Sequence, residues 1–299
     1  MAQDSAQVPW TDEQWARVTH VIQEEANRAR VAATFLPLFG PLPPSTDFVR
    51  AERMSYGTPG ERPQRMTIDD TTTLLLPTLQ VKVFLRGAQM ADPDMTSVLQ
   101  MFRRAANVLA RLEDAVVFNG QTGPSQGPPP AAIAGLPPIW DILGGQKSRG
   151  LLADEPVFRA AAQGDLGEEL VGGVSDSIGQ LEARGHFGPF AVVLDHRFFT
   201  AVQTPNSHSL VLPQDRILPF LGGGSLLRSS TLPAYSGVVV ALGGAPVELV
   251  VATDVSLNFL QVTTDPMFVF RVFEKMVLRI KEPDAIVALE RSKPAQSRK

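Results

Sequence analysis

Hydrophobic and polar residues along the 299-residue chain fall into stretches of different period, and each period predicts an element. Trp15, Val18, Ile22, Ala26 and Ala29 form one stripe at helical spacing, while Arg17, Glu24, Glu25 and Arg28 face elsewhere. Thr11 with Gln14 three residues on makes a capping box, and Trp10 and Trp15 occupy the two staple positions, so a helix is expected to start near Asp12. From Pro37 to Pro63 the chain is too rich in Pro and Gly for a long helix or a central strand, and reads as an extended arm. Leu79, Val81, Val83 and Leu85 then alternate with Gln80, Lys82, Phe84 and Arg86, the period of a strand with one more apolar face. Together with the Thr-rich stretch 67–73 this predicts a long two-stranded excursion with its tip near Gly57 to Arg65. Such a ribbon is marginally stable alone, so something must cover it.

After Asp92, Pro93 and Asp94, a helical stripe of Met95, Val98, Leu99, Phe102, Ala106, Leu109, Leu112 and Val116 runs to Phe118, a rod of about 36 Å at 1.5 Å per residue, and Gly120 ends it. The segment from Gly123 to Pro138 is stiff and poor in donors and predicts a surface loop. Beyond Gly150 the pattern predicts a helix over 166–184, a buried strand over 190–194 and a short helix over 197–203, followed by a polar loop. Val238 to Leu242, Val247 to Val251, Leu257 to Val262 and Phe268 to Ile280 read as strands, and 291–299 as a basic polar tail.

Composition narrows the function classes. With 44% hydrophobic and 19% charged residues the chain is a folded protein, and its length fits two domains or one with a large insertion. Its formal charge of -4 argues against a surface built to neutralise phosphates, so no nucleic-acid partner is expected. The absence of Cys removes disulfides, thiolate metal sites and a cysteine nucleophile. No stretch reaches the roughly 18 consecutive apolar residues of a membrane span, and the start lacks a signal-peptide pattern, so the expectation is a cytoplasmic protein without membrane contact.

Catalytic motifs fail on context. Gly123 to Gly127 spells G-x-S-x-G, but Pro128 to Pro130 stand where a nucleophile elbow needs a helix. Gly145 to Ser148 lacks the adjacent Gly-Lys of a phosphate loop. His20, His186, His196 and His208 lie far apart, so a metal site would require folding to bring remote ligands together. No catalytic residue, metal or cofactor is expected, and the chain reads as a non-enzyme.

The order of motifs resembles encapsulin shell proteins. The resemblance rests on Phe39, Gly40, Pro41 and Leu42 after a capped helix, and on Leu112 to Gly120 closing a spine helix. It rests equally on Gly185 to Leu194, reading G-H-F-G-P-F-A-V-V-L, and on the closing stretch 272–290, covering about four fifths of the chain in all. It implies an α+β protein with the Hong Kong 97-type tailed-phage major capsid fold, with peripheral domain, axial domain and extended loop. The implied division is an amino-terminal helix and arm over 1–42, the extended loop over 43–90, the peripheral domain over 91–150 and 263–290, the axial domain over 151–262, and a flexible tail over 291–299. The implied function is a self-assembling icosahedral shell of sixty subunits or a multiple. It encloses a cargo enzyme, a ferritin-like protein or a peroxidase, through that cargo's targeting peptide. A major capsid protein of a tailed phage or prophage is the alternative on the same fold.

Three sets of residues carry that reading. Leu79, Val81, Val83 and Leu85 are expected at the inter-subunit contact. Ile22, Phe35, Leu36 and Leu38 are either cargo-binding or core; Ala33, Thr34 and Pro37 stand where relatives often carry basic and acidic residues, so cargo binding there should depend little on salt. Asn206, Ser207, His208 and Ser209 match the family's pore loop, with an ordinary loop histidine as the other reading of His208. The junction at Leu85, Arg86 and Gly87 lacks the aromatic that stacks a flavin in some members, so no flavin is expected.

Overall fold

The computed structural model describes residues 8–55, 66–121, 136–152, 158–160, 165–205 and 211–291. The chain opens with α1 (Asp12–Ala29), the single turn α2 (Ala32–Phe35) and β1 (Leu38–Phe39). It then sends out β2 (Phe48–Arg50), β3 (Arg53–Ser55), β4 (Thr67–Asp69) and β5 (Thr73–Leu75), and returns through β6 (Thr78–Arg86) and α3 (Gly87–Met90). Next come α4 (Thr96–Asn119), β7 (Trp140–Leu143), β8 (Phe158–Ala160), α5 (Leu166–Ala183), β9 (Phe190–Leu194), α6 (His196–Val202) and α7 (Pro213–Ile217). The strands β10 (Leu226–Arg228), β11 (Ser236–Ala241), β12 (Val247–Val262), β13 (Met267–Ile280) and β14 (Ile286–Arg291) close the described chain.

These strands make two five-stranded sheets, ordered β1-β12-β13-β6-β7 and β10-β9-β11-β14-β8, and two short pairs, β2 with β5 and β3 with β4. The second sheet is apolar on both faces, as the unbroken runs of β9 and β11 require. Ala191, Val193, Val238 and Val240 join the core that holds α4, while Val192, Leu194, Val239 and Ala241 pack with α5 and α6. Asp195, at the end of β9, caps α6 by accepting from the N–H groups of Arg197 and Phe198, both at 3.0 Å.

The expected domain boundaries shift. β12 pairs with β13 along its length, so 247–262 belongs to the first sheet and not with the axial elements. β14 lies in the second sheet beside β11, away from the peripheral elements with which it was grouped. Pro283 interrupts the closing apolar run and lets the chain cross between sheets. The two strands expected over 247–251 and 257–262 are one strand. Register shifts between Val251 and Ser256 absorb the polar Thr253 and Asp254, and the Asp254 carboxylate accepts the Val255 N–H at 2.7 Å.

The start of α1 follows its sequence signal. Thr11 Oγ1 accepts from Gln14 N–H at 3.2 Å, and Gln14 Oε1 accepts from Thr11 N–H at 2.9 Å. Trp10 meets Trp15 edge-on at 5.1 Å between ring centroids and stacks on Phe270 of β13 at 5.0 Å, so the staple also docks the helix on the first sheet. Glu25, expected on the polar face, is buried against α4. Arg28 reaches its carboxylate at 2.7 Å and Asn107 Nδ2 donates at 2.8 Å. Burial pushes this carboxyl upward, but those bonds outweigh it and hold it below its ordinary range.

A second buried charge cluster fixes where the chain goes after α1. Asp114 of α4 accepts from Val31 N–H at 2.9 Å and Ala32 N–H at 2.7 Å, satisfying the amino end of α2. Arg30 lies between Glu113 Oε2 at 4.0 Å and Asp254 Oδ1 at 3.1 Å. Glu274 of β13 is buried beside Glu113. Burial is the main force on all three acids. It pushes Asp114 up to about 7 against the pull of its N–H donors, and Glu113 up to about 8 against the pull of Arg30. Burial and the nearby Glu113 also hold Glu274 well above the carboxylate range. Both Glu113 oxygens and Glu274 Oε1 are buried without a hydrogen-bond partner, a setting that favours the protonated, uncharged form of these acids.

The sign of the pH dependence follows. The folded chain keeps the Glu113 proton until pH rises through about 8, whereas the unfolded chain releases it near the ordinary carboxylate value of 4.5. This contribution to stability is fully present below 4.5 and is lost between there and about 8. Glu113→Gln keeps a hydrogen-bond donor but cannot ionise. Its thermal midpoint is therefore expected to fall less steeply between pH 5 and 8 than that of the native chain, by up to one proton's worth, about 1.4 kcal/mol per pH unit. Parallel midpoint profiles for the two chains would rule out a protonated Glu113 in the folded chain.

Candidate functional site

The ribbon is the most exposed structured part of the molecule, and its root is built with care. Leu42 donates its N–H to Val251 O at 2.9 Å, Met54 to Lys281 O at 2.9 Å, and Lys275 pairs with Asp47 at 2.6 Å. Val49 and Leu74 pack over Leu76, Val250, Ala252 and Val277, so the inner side of the root is covered by the first sheet. Arg279 of β13 sits at the crossing, with a side chain only 4% exposed. Its Nε donates to Glu248 Oε1 at 2.5 Å, and its Nη1 lies 3.3 Å from Glu52 Oε2 and donates to Arg50 O at 3.2 Å. Its guanidinium also lies over the Phe39 ring, 4.6 Å from the centroid. Lys281 holds the other Glu248 oxygen at 3.1 Å, so one buried acid is shared by two cations. Glu52 adopts a left-handed backbone, φ +50°, at the point where β2 passes into β3.

On its outer side the ribbon has little to cover it. Phe48 is 59% exposed, Ile68 60% and Met66 69%, and Leu75 is exposed as well. The turn after β4 is organised by Asp69, which accepts from Thr71 N–H at 3.0 Å and from the Thr71 and Thr72 hydroxyls at 2.7 and 2.6 Å. The Thr72 and Thr71 bonds hold its carboxyl well below the ordinary range.

The expected inter-subunit row is elsewhere. Leu79, Val81, Val83 and Leu85 are all buried in the chain's own core, because β6 lies between β13 and β7 and turns that face toward α4. The ribbon is formed instead by 48–55 with 67–75. The cargo candidates divide too. Ile22, Phe35 and Leu36 are core, with the Phe35 ring stacked near Phe118 at 6.5 Å, whereas Leu38 is 58% exposed and its neighbour Phe39 is exposed beside it. Both lie on β1, a two-residue strand at the edge of the first sheet, paired parallel with Leu249 and Val250. Asn206, Ser207, His208 and Ser209 fall outside the described residues, as does the G-x-S-x-G stretch 123–127. The expected tip lies largely in the undescribed stretch 56–65.

Phe48, Met66, Ile68 and Leu75 carry no motif in the sequence, and Phe39 enters there only as part of the family resemblance, not as a contact. Their signal is weak, since each sits in a strand of two or three residues or beside one, too short to show a period. Arg279 left a clearer trace as a cation inside the apolar end of β13, Met276 to Ile280. No helix among the described residues is long and apolar enough to cross a membrane.

Comparison with known proteins bears on what these surfaces serve. The family model described as encapsulating protein for peroxidase, Linocin_M18, matches residues 2–127 and 142–277. The type 1 encapsulin shell protein EncA of Myxococcus xanthus is 27% identical over 297 residues, 95% of each chain. Among solved structures, the virus-like particle from Pyrococcus furiosus aligns over 93% of this chain and 100% of its own, with TM-score 0.68 and 17% identity. A chain of Mycobacterium phage Bobi aligns over 90% of this chain and 91% of its own, with TM-score 0.58 and 15% identity. The phage likeness establishes the Hong Kong 97-type capsid fold, and the family model separates the chain from the phage alternative. Two sheets, a spine helix buried between them and a ribbon reaching outward are thus the subunit of a shell, and the chain belongs to the encapsulin family of shell proteins.

Proposed function

We propose that this chain closes into a hollow icosahedral shell of sixty copies, or a multiple of sixty, by laying its ribbon on the adjacent subunit. The observation that carries this reading is the uncovered apolar set Phe48, Met66, Ile68 and Leu75 on a ribbon whose inner side packs on its own chain. Two-stranded pairs this short do not persist alone in water, and contiguous exposed apolar surface on a folded protein marks a contact. A second copy of the chain is the partner that the family supplies. The shell would stand in the cytoplasm and enclose a cargo enzyme, a peroxidase or a ferritin-like protein, bound through a targeting peptide. Small molecules would enter through pores, with the loop carrying Asn206, Ser207, His208 and Ser209 as the candidate lining.

Cargo docking is proposed at the amino-terminal arm on a smaller set than the sequence suggested. Leu38 and Phe39 offer exposed apolar surface on a strand that already extends the first sheet. An extended apolar peptide could pack against these side chains with little electrostatic contribution.

Two measurements check these readings. The double variant Phe48→Asp with Ile68→Asp changes only exposed positions, so it should fold but give small soluble oligomers, with assembled particles reduced at least tenfold by size exclusion and electron microscopy. Intact shells would overturn the ribbon assignment. Leu38→Asp should leave shells intact while lowering the amount of co-purified cargo at least tenfold, and native loading should change little between low and high salt. Unchanged loading in that variant, or native loading that collapses in salt, would move the cargo site elsewhere.

A further inference from the structure

Two connections about a hundred residues apart meet at the end of the second sheet where β9 and β14 begin. His186 lies in the turn between α5 and β9, just after Gly185, whose left-handed backbone (φ +92°) turns the chain back, and its N–H donates to Leu181 O at 2.9 Å. Glu282 and Asp284 flank Pro283 in the single turn that carries the chain from β13 to β14. The imidazole is 8% exposed. Its Nδ1 lies 4.0 Å from Glu282 Oε2, and its Nε2 lies 3.3 Å from Asp284 Oδ1. Nε2 is fully buried and makes no hydrogen bond, although the Asp284 carboxylate stands beside it. Arg184, also at this corner, donates to the Asp284 backbone carbonyl at 3.3 Å.

A buried ring nitrogen without a partner is uncommon and calls for a physical account. At 3.3 Å from Asp284 it is too far for the charge-assisted bond of about 2.7–2.9 Å that a histidine–carboxylate pair would make. That separation does match another arrangement. Two ligand atoms each about 2.0–2.1 Å from a tetrahedral ion stand about 3.3 Å apart. One ligand atom from each of His186, Glu282 and Asp284 falls within 4.8 Å of the others; Glu282, which lies 4.0 Å from the other ring nitrogen and whose side chain is 22% exposed, must swing toward Nε2 to complete the set. Pro283 restricts the backbone between the two carboxylates and keeps them on one corner.

We propose that His186, Glu282 and Asp284 form a binding site for a first-row divalent cation of the zinc class, which clips the α5–β9 turn to the β13–β14 turn. One imidazole nitrogen and two carboxylate oxygens suit zinc better than calcium or magnesium, whose sites are built from oxygen alone. Three protein ligands leave a fourth position for water. The clip joins two connections of the second sheet and stabilises the folded subunit by mass action, independently of how the shell assembles.

The test uses untagged shells dialysed against a chelator and titrated with zinc chloride alone. The expected result is one zinc per chain by elemental analysis and a thermal midpoint that rises with zinc. His186→Gln and Asp284→Asn should each weaken binding at least a hundredfold, and calcium or magnesium should not compete at equal concentration. If either variant fails to fold, cobalt(II) added to the native shells decides, since tetrahedral ligation gives an intense visible absorption and six-coordinate surface binding does not. No stoichiometric zinc in native shells, equal binding by native and folded variant shells, or an octahedral cobalt spectrum would each overturn the proposal.

Discussion

From Leu112 to Phe118, two full turns of α4, every side chain is buried, so this helix has no solvent face to which polar residues could be assigned. That constraint decides much of the rest. Glu113 and Asp114 lie within those turns and must be satisfied by protein. Asp114 takes the N–H groups of Val31 and Ala32, which ties the amino-terminal arm to the spine, and Glu113 meets Arg30 and Glu274. The first sheet covers one side of the helix with the apolar row of β6, and the second sheet contributes Ala191, Val193, Val238 and Val240 to the same core. The arm, the two sheets and the spine are therefore one packing problem with one solution.

Elements specified by neighbours in sequence could be read without coordinates. The capping box at Thr11, the buried strand 190–194 and the end of α4 at Gly120 all depend on residues within a few positions, and they stand where the patterns put them. Gly120 is a clear instance, because a Cβ there would come within 2.4 Å of Ser148 O. Periodicity failed where it had to name a partner. The alternation of β6 correctly announced a face to be buried, but nothing in Leu79 to Leu85 distinguishes the chain's own helix from a neighbouring subunit. β12 was divided in two because Thr253 and Asp254 break the apolar pattern, a break that bulges accommodate. The polar clusters were beyond reach for the same reason: Glu113 with Glu274, and His186 with Glu282, are pairings that only the folded chain makes.

Stability and assembly are assigned to different residues. The side chains that turn toward α4 and α5 are buried, while uncovered apolar residues lie on the ribbon, on β1, at a few loop positions and on the open face and ends of the first sheet, at Phe84, Leu143, Leu260 and Val262. A charge placed at Val81 or Val83 would be a charge in the core, and one placed at Ile68 would meet water in the isolated subunit. Positions that look equally apolar in the sequence thus differ in what they control.

Arg279 binds Glu248 on one side and Glu52 and the Arg50 carbonyl on the other, with Phe39 beneath its guanidinium. It acts as a pin through the base of a lever. Because it holds Arg50 and Glu52, where β2 passes into β3, it fixes the angle at which β3 and β4 leave the first sheet. An error in that angle, repeated around a closed surface, is the difference between faces that meet and faces that do not. Curvature would then be a property of the single subunit, set by one guanidinium before any two subunits touch.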